Sequence, residues 1–140
     1  MPTADVLIVG AGPAGCVAAR EAAAAGAGHV LLIERDRAIG APVRCAEGVG
    51  SEGLREFVNP DGAPWVARKI TKVIFWAPDD TEVVLGSRAV GYVLDRTRFE
   101  PALAELAARA GAEIRIATEA VRMERANGAW QVELRGPRGD

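Results

Sequence analysis

The sequence predicts an α/β domain organised around a parallel sheet, and three features near its start predict it. An apolar run, Val6-Leu7-Ile8-Val9, passes directly into the glycine turn Gly10-Ala11-Gly12-Pro13-Ala14-Gly15. An alanine-rich stretch of helical character follows, and a second apolar run, Val30-Leu31-Leu32-Ile33, then closes on the acidic Glu34. Strand, turn, helix and strand in that order make a βαβ unit whose crossover leaves the two strands parallel. The glycine spacing is G-x-G-x-x-G, which in this context is a Rossmann-like turn, so the expected ligand is a dinucleotide.

Each residue type in the unit has its own physical task. Gly10 takes the backbone angles of a tight strand-to-helix turn, Gly12 leaves room for a pyrophosphate, and Gly15 lets the helix lie close to the strand. The helix opened by Pro13 and Ala14 aims its unpaired amides and the positive end of its dipole at the phosphates, so no lysine is required. Pro13 lacks an N–H and suits the first helical position. Ala18, Ala19 and Ala22 to Ala25 give a small face for packing on a sheet, and the Ala-Gly-Ala-Gly segment before His29 stops the helix. Cys16 reads as a small packing residue.

Glu34 stands at the carboxyl end of the second strand, about 20 residues past the glycines, where a carboxylate accepts hydrogen bonds from the adenosine ribose hydroxyls and repels a 2′-phosphate. Arg35 beside it lies against the adenine or ribose, or is a solvated charge. The segment from Arg35 to Ser51 has neither helical nor strand periodicity and reads as an extended functional loop, with residues 39–51 at its centre. Ser51 to Val58 has the character of a short helix, closed by the turn Asn59-Pro60-Asp61-Gly62.

Ile70 to Trp76 and Glu82 to Leu85 are β-branched runs joined by Pro78-Asp79-Asp80-Thr81, which predicts a hairpin over residues 70–86. Gly91-Tyr92-Val93-Leu94 leads into a helix over about Arg96 to Ala110, with Leu103, Leu106 and Ala107 on one face, Gly111 as terminator and Thr97 with Glu100 as a capping box. Ile114 and Ile116 mark the third parallel strand. Val121 to Arg125 and Trp130 to Leu134 flank Asn127-Gly128, the signal of a type I′ turn, which predicts a second hairpin over residues 120–135.

Composition narrows the functional classes. The 140 residues suffice for one domain with a core. About half are apolar and the formal net charge is −2, which gives no nucleic-acid footprint and no disordered tail, so nucleic acid is not an expected partner. No apolar run approaches the roughly 20 residues of a bilayer span, and the start lacks the order of a signal peptide, so a cytoplasmic protein is expected. Cys16 and Cys45 do not suggest a disulfide, no cluster has metal-ligand spacing, and His29, the only histidine, reads as a solvated corner residue. Trp65, Trp76 and Trp130 are far apart and favour core or hairpin-surface packing.

The block from Asp5 through Glu34-Arg35 resembles the FAD-binding fingerprint of the flavoprotein superfamily that includes aromatic hydroxylases and geranylgeranyl reductases. Within it, Ile39-Gly40-Ala41-Pro42-Val43-Arg44-Cys45-Ala46-Glu47-Gly48-Val49 resembles the loop of archaeal-type geranylgeranyl reductases, the digeranylgeranylglycerophospholipid reductases among them. Tyr92-Val93-Leu94-Asp95-Arg96 with Phe99-Glu100 and Leu103 resembles the arginine-bearing helix start of these flavoproteins.

The resemblance implies an enzyme that holds FAD and reduces carbon–carbon double bonds of an isoprenoid lipid, the flavin delivering hydride while the protein orients the alkene and supplies a proton. It implies that Arg44, Cys45 and Glu47 lie by the flavin and substrate, Cys45 as acid, thiolate or small packing residue. It also implies that Arg96, or its neighbour Arg98, reaches the pyrophosphate. The electron donor is left open between a nicotinamide and ferredoxin, and peripheral membrane contact is an expectation from the lipid substrate alone. Relatives are a few hundred residues long, so residues 1–140 are expected to form a partial, truncated FAD-binding domain. Two other readings remain: an FAD- and NAD(P)H-dependent monooxygenase, and a nucleotide-binding module without catalysis.

Overall fold

The computed structural model describes residues 3–43 and 47–137, the side chains of residues 87–89 excepted. In chain order the elements are β1 (Val6–Val9), α1 (Pro13–Ala24), β2 (Val30–Ile33), β3 (Gly48–Gly50), α2 (Ser51–Phe57), β4 (Val66–Trp76), β5 (Glu82–Leu94), α3 (Arg96–Arg109), β6 (Glu113–Arg115), β7 (Glu119–Ala126) and β8 (Ala129–Arg135). They fall into two compact units, Met1–Ala41 with Glu100–Asp140, and Pro42–Phe99.

The first unit holds the parallel sheet, in the order β1-β2-β6, with Val6 opposite Val30 and Leu31 opposite Glu113. The central β2 is apolar at every position because a parallel strand is covered on both faces, and all four of its residues are buried. Cys16 and Ala19 are the buried residues of α1. Both long helices end in the same way. Gly26 and Gly111 take positive φ, and paired bonds, Ala27 N to Ala22 O with Gly26 N to Ala23 O and Ala112 N to Ala107 O with Gly111 N to Ala108 O, satisfy the last carbonyls.

Two sequence expectations in this unit are corrected. Leu106 is 39% exposed, whereas Leu103, Ala104 and Ala107 are buried. At roughly 100° per residue Leu106 lies beside that stripe and Ala104 within it. The third strand ends at Arg115, leaving Ile116 exposed before Ala117, which has positive φ. His29 is exposed at its corner, as expected, with Nε2 2.7 Å from Glu113 Oε2. The second hairpin is as expected, β7 and β8 turning at Asn127 (φ 54°) and Gly128 (φ 80°), the angles of a type I′ turn. Trp130 stands on its surface, 63% exposed.

The second unit is antiparallel, in the order β3-β5-β4. Its hairpin is longer than the sequence pattern indicates. Gly91-Tyr92-Val93-Leu94 is the end of a single strand β5, paired with β4 through two register shifts, and bulges of this kind break the alternation on which a sequence reading depends. Within the expected loop, Gly48–Gly50 forms β3 against Gly91–Val93. Two glycines around one valine carry no strand signal, so this strand exists because a partner edge is available.

Trp65 and Phe99 are buried with ring centroids 4.8 Å apart. The α3 cap is Asp95 and not Thr97: Asp95 Oδ1 accepts from Thr97 N at 3.0 Å and Thr97 Oγ1 at 2.6 Å, the bond pattern of an N-cap one residue before the helix. On α2, Arg55 donates to both carboxylate oxygens of Asp61 and to the hydroxyl of buried Tyr92, the last at 2.7 Å.

Candidate cofactor site

The glycine turn begins where β1 ends. Gly10 has φ +97°, a conformation that favours glycine, and its N–H donates to the Ile33 carbonyl at 2.8 Å. Gly15 faces the Gly10 carbonyl oxygen so closely that a Cβ there would overlap it, with Ile8 Cγ2 at 3.5 Å. Nothing lies within 4 Å of a Cβ built on Gly12. The three glycines therefore divide as the motif predicts: one for the turn, one for open space and one for close packing. Gly12 is the α1 N-cap with no side-chain cap, and Pro13 opens the helix. The first-turn amides of Ala14 and Gly15 have no carbonyl partner within the helix, which leaves them for an anion.

Glu34 is tied into this turn. The Ala11 residue is 1% exposed, and its N–H donates to Glu34 Oε2 at 2.8 Å. The Asp36 N–H donates to Glu34 Oε1 at 2.9 Å. The Glu34 backbone is held on both sides, its N–H by Arg115 O and its carbonyl by Thr118 N, each at 2.8 Å. Each carboxylate oxygen keeps a further lone pair for another donor. A cavity of about 440 Å³ opens here, lined by Gly10, Glu34, Arg35, Asp36, Thr118 and Glu119 among others, a size suited to part of a nucleotide. Asp36, Thr118 and Glu119 escaped the sequence reading. Thr118 lies 84 positions from Glu34 and arrives only because β6 pairs with β2.

The structure thus brings Gly10, Gly12, Pro13, Ala14, Gly15, Glu34 and Arg35 together in one unit, with Arg35 exposed on the cavity rim. Arg96 and Glu47 belong to the other unit. Arg96 is the first residue of α3. Glu47 has an exposed side chain, and its carbonyl accepts from Leu94 N at 2.9 Å. Arg44 and Cys45 lie outside the described residues. Cys16 is fully buried beneath the turn, its thiol donating to Ala11 O at 3.3 Å. Burial, then the charges of Glu100 and Glu34, push this thiol up to about 11, which makes it a packing residue and not a nucleophile.

These residues fit a dinucleotide. An uncapped helix start with an open glycine suits a pyrophosphate, and an acceptor-only carboxylate beside a cavity suits ribose hydroxyls.

Comparison with known proteins agrees. The chain is 48% identical over 128 residues to the digeranylgeranylglycerophospholipid reductase of Methanocella arvoryzae, covering 89% of this chain and 32% of that protein. It is 48% identical over 121 residues to the enzyme of the same name from Methanosphaerula palustris, covering 84% of this chain and 30% of that protein. The chain thus spans about a third of the length of these curated relatives. Among solved structures it is similar to a geranylgeranyl bacteriochlorophyll reductase-like protein from Thermoplasma acidophilum, with a TM-score of 0.85 and 35% identity over 95% of this chain and 35% of the other. A family model described as FAD binding domain matches residues 3–140. With a turn, a helix start and a carboxylate that suit the same cofactor, the chain belongs to the FAD-binding domain family.

Proposed function

We propose that the intact protein is an FAD-dependent oxidoreductase that reduces carbon–carbon double bonds of geranylgeranyl chains in lipid biosynthesis. The observation that carries this reading is the 48% identity over 128 residues to a digeranylgeranylglycerophospholipid reductase. Reduced FAD supplies a hydride when bound. The residues of this chain hold and shape the site. Glu34 accepts from the ribose, the α1 amides and the space over Gly12 receive the pyrophosphate, and Arg35 covers the adenosine end. Arg96 brings a guanidinium to the pyrophosphate from the start of α3. Arg44, Cys45 and Glu47 orient the alkene and deliver its proton. Electrons come from a nicotinamide or ferredoxin.

Among the described residues no helix is long and apolar enough to cross a membrane. A cytoplasmic enzyme that meets its lipid at the membrane surface accords with this reading.

The test is to incubate the intact protein anaerobically with FAD, dithionite and a geranylgeranyl glycerophospholipid, and to follow the lipid by mass spectrometry. Addition of hydrogen pairs is the expected result. A hydroxylated product under oxygen and NAD(P)H would replace this reading with a monooxygenase, and retained flavin with no turnover would replace it with a binding module.

A further inference from the structure

His29 is the single histidine of the chain and immediately precedes β2. Its ring meets an acceptor on each side. Nδ1 is 2.8 Å from the Thr3 carbonyl oxygen, and Nε2 is 2.7 Å from Glu113 Oε2. A neutral imidazole has one N–H and satisfies one of these, whereas the imidazolium donates to both. The surrounding backbone holds the ring in place, because His29 N donates to Asp5 Oδ2 at 2.7 Å and Asp5 N donates to His29 O at 2.9 Å.

The charged groups acting on the ring are Asp5, ahead of β1, and Glu113 at the start of β6. Arg115 donates to the other Glu113 oxygen at 2.7 Å. Arg115 first, and His29 second, hold the Glu113 carboxyl below its ordinary range, so it stays ionised while the ring titrates.

We propose that His29 is a pH-operated clasp: charged, it ties the segment ahead of β1 and the first residue of β6 to the start of β2, and on losing its proton it releases one of the two. This is independent of the cofactor reading, since Thr3, Asp5, His29 and Glu113 all lie at the amino ends of the strands and neither they nor Arg115 line the Glu34 cavity. The direction of the pH effect follows from the acceptors. The Thr3 carbonyl first, and Glu113 second, raise the ring above its ordinary value. The stabilisation is therefore complete below about 6.5, the ordinary histidine value, and is lost as pH rises through the higher value of the folded state.

A lone histidine gives one unambiguous pair of ring C–H signals, so an NMR titration of the 140-residue chain reads the clasp directly. The expected midpoint lies above about 6.5, and Glu113→Gln lowers it. Thermal unfolding of wild type against His29→Asn, taken from about pH 5 to about pH 8, should show a wild-type advantage of a few degrees at the acid end that shrinks toward the alkaline end. A wild-type midpoint at or below about 6.5, a midpoint that Glu113→Gln leaves in place, or an advantage that is flat with pH each overturns the proposal.

Discussion

The Ala11 N–H donates to Glu34 Oε2 across 2.8 Å, joining the glycine turn to the carboxyl end of the second strand. One side chain thus serves two functions. It satisfies a buried turn amide, and it lines the adjacent cavity. The carboxylate is suited to both because it is acceptor-only and both of its amide partners are donors.

Glu34→Gln should therefore do more than remove a charge. The amide keeps one oxygen for two N–H groups and turns an NH₂ toward the other. The unmet turn amide costs the fold about 1–3 kcal/mol, read as a lower Tm, and loss of the charged acceptor for the ribose should weaken FAD binding about tenfold. Fluorescence titration with FAD measures this, and wild-type affinity in the variant would remove Glu34 from the site.

Gly12→Ala and Gly15→Ala separate binding from folding. A methyl on Gly15 overlaps the Gly10 carbonyl oxygen, and overpacking of this kind costs about 1–3 kcal/mol, read as a lower Tm. Gly12 has φ −71° and ψ 179° with nothing within 4 Å of its built Cβ, so alanine there should cost the fold only about 0.5–1 kcal/mol as a poorer cap. It should nevertheless weaken FAD about tenfold or more by occupying pyrophosphate space. Equal losses of stability and affinity in both variants would contradict the division.

In the antiparallel unit, Tyr92→Phe removes the hydroxyl that accepts from Arg55 at 2.7 Å. Tm should fall by a few degrees. The Arg55 guanidinium bound to Asp61 holds that carboxyl below its ordinary range. Its contribution is present above about 3.9, the unfolded value, and is lost as pH falls through the lower folded value. Urea midpoints of wild type and Asp61→Asn should accordingly separate near neutrality and converge in acid, and parallel curves would refute the coupling.

Cys16, fully buried and pushed up to about 11, should resist iodoacetamide in the folded chain at neutral pH and react only in denaturant. Peptide mapping by mass spectrometry distinguishes the two states. Rapid native labelling of Cys16 would show that the turn opens.

The βαβ unit was legible in the chain because its signals are local. Four-residue apolar runs, glycines at fixed offsets and an alanine face each act within a few residues, and backbone sterics give them one reading. The Asn127-Gly128 turn and the glycine helix stops were legible for the same reason. The second unit was less so. β3 has no strand signal of its own, and β5 is continuous only because β4 pairs with both of its halves.

The sequence by itself determined the parallel sheet core, the dinucleotide turn and the identity of its acidic partner, because steric and periodic rules act on near neighbours. Only the tertiary structure decided that Glu34 also secures Ala11, that Thr118 and Glu119 complete the cavity, and that His29 meets both Thr3 and Glu113. Those relationships join residues between 23 and 85 positions apart. Strand pairing sets them, and no short-range preference encodes which distant groups a folded sheet will bring within hydrogen-bond reach.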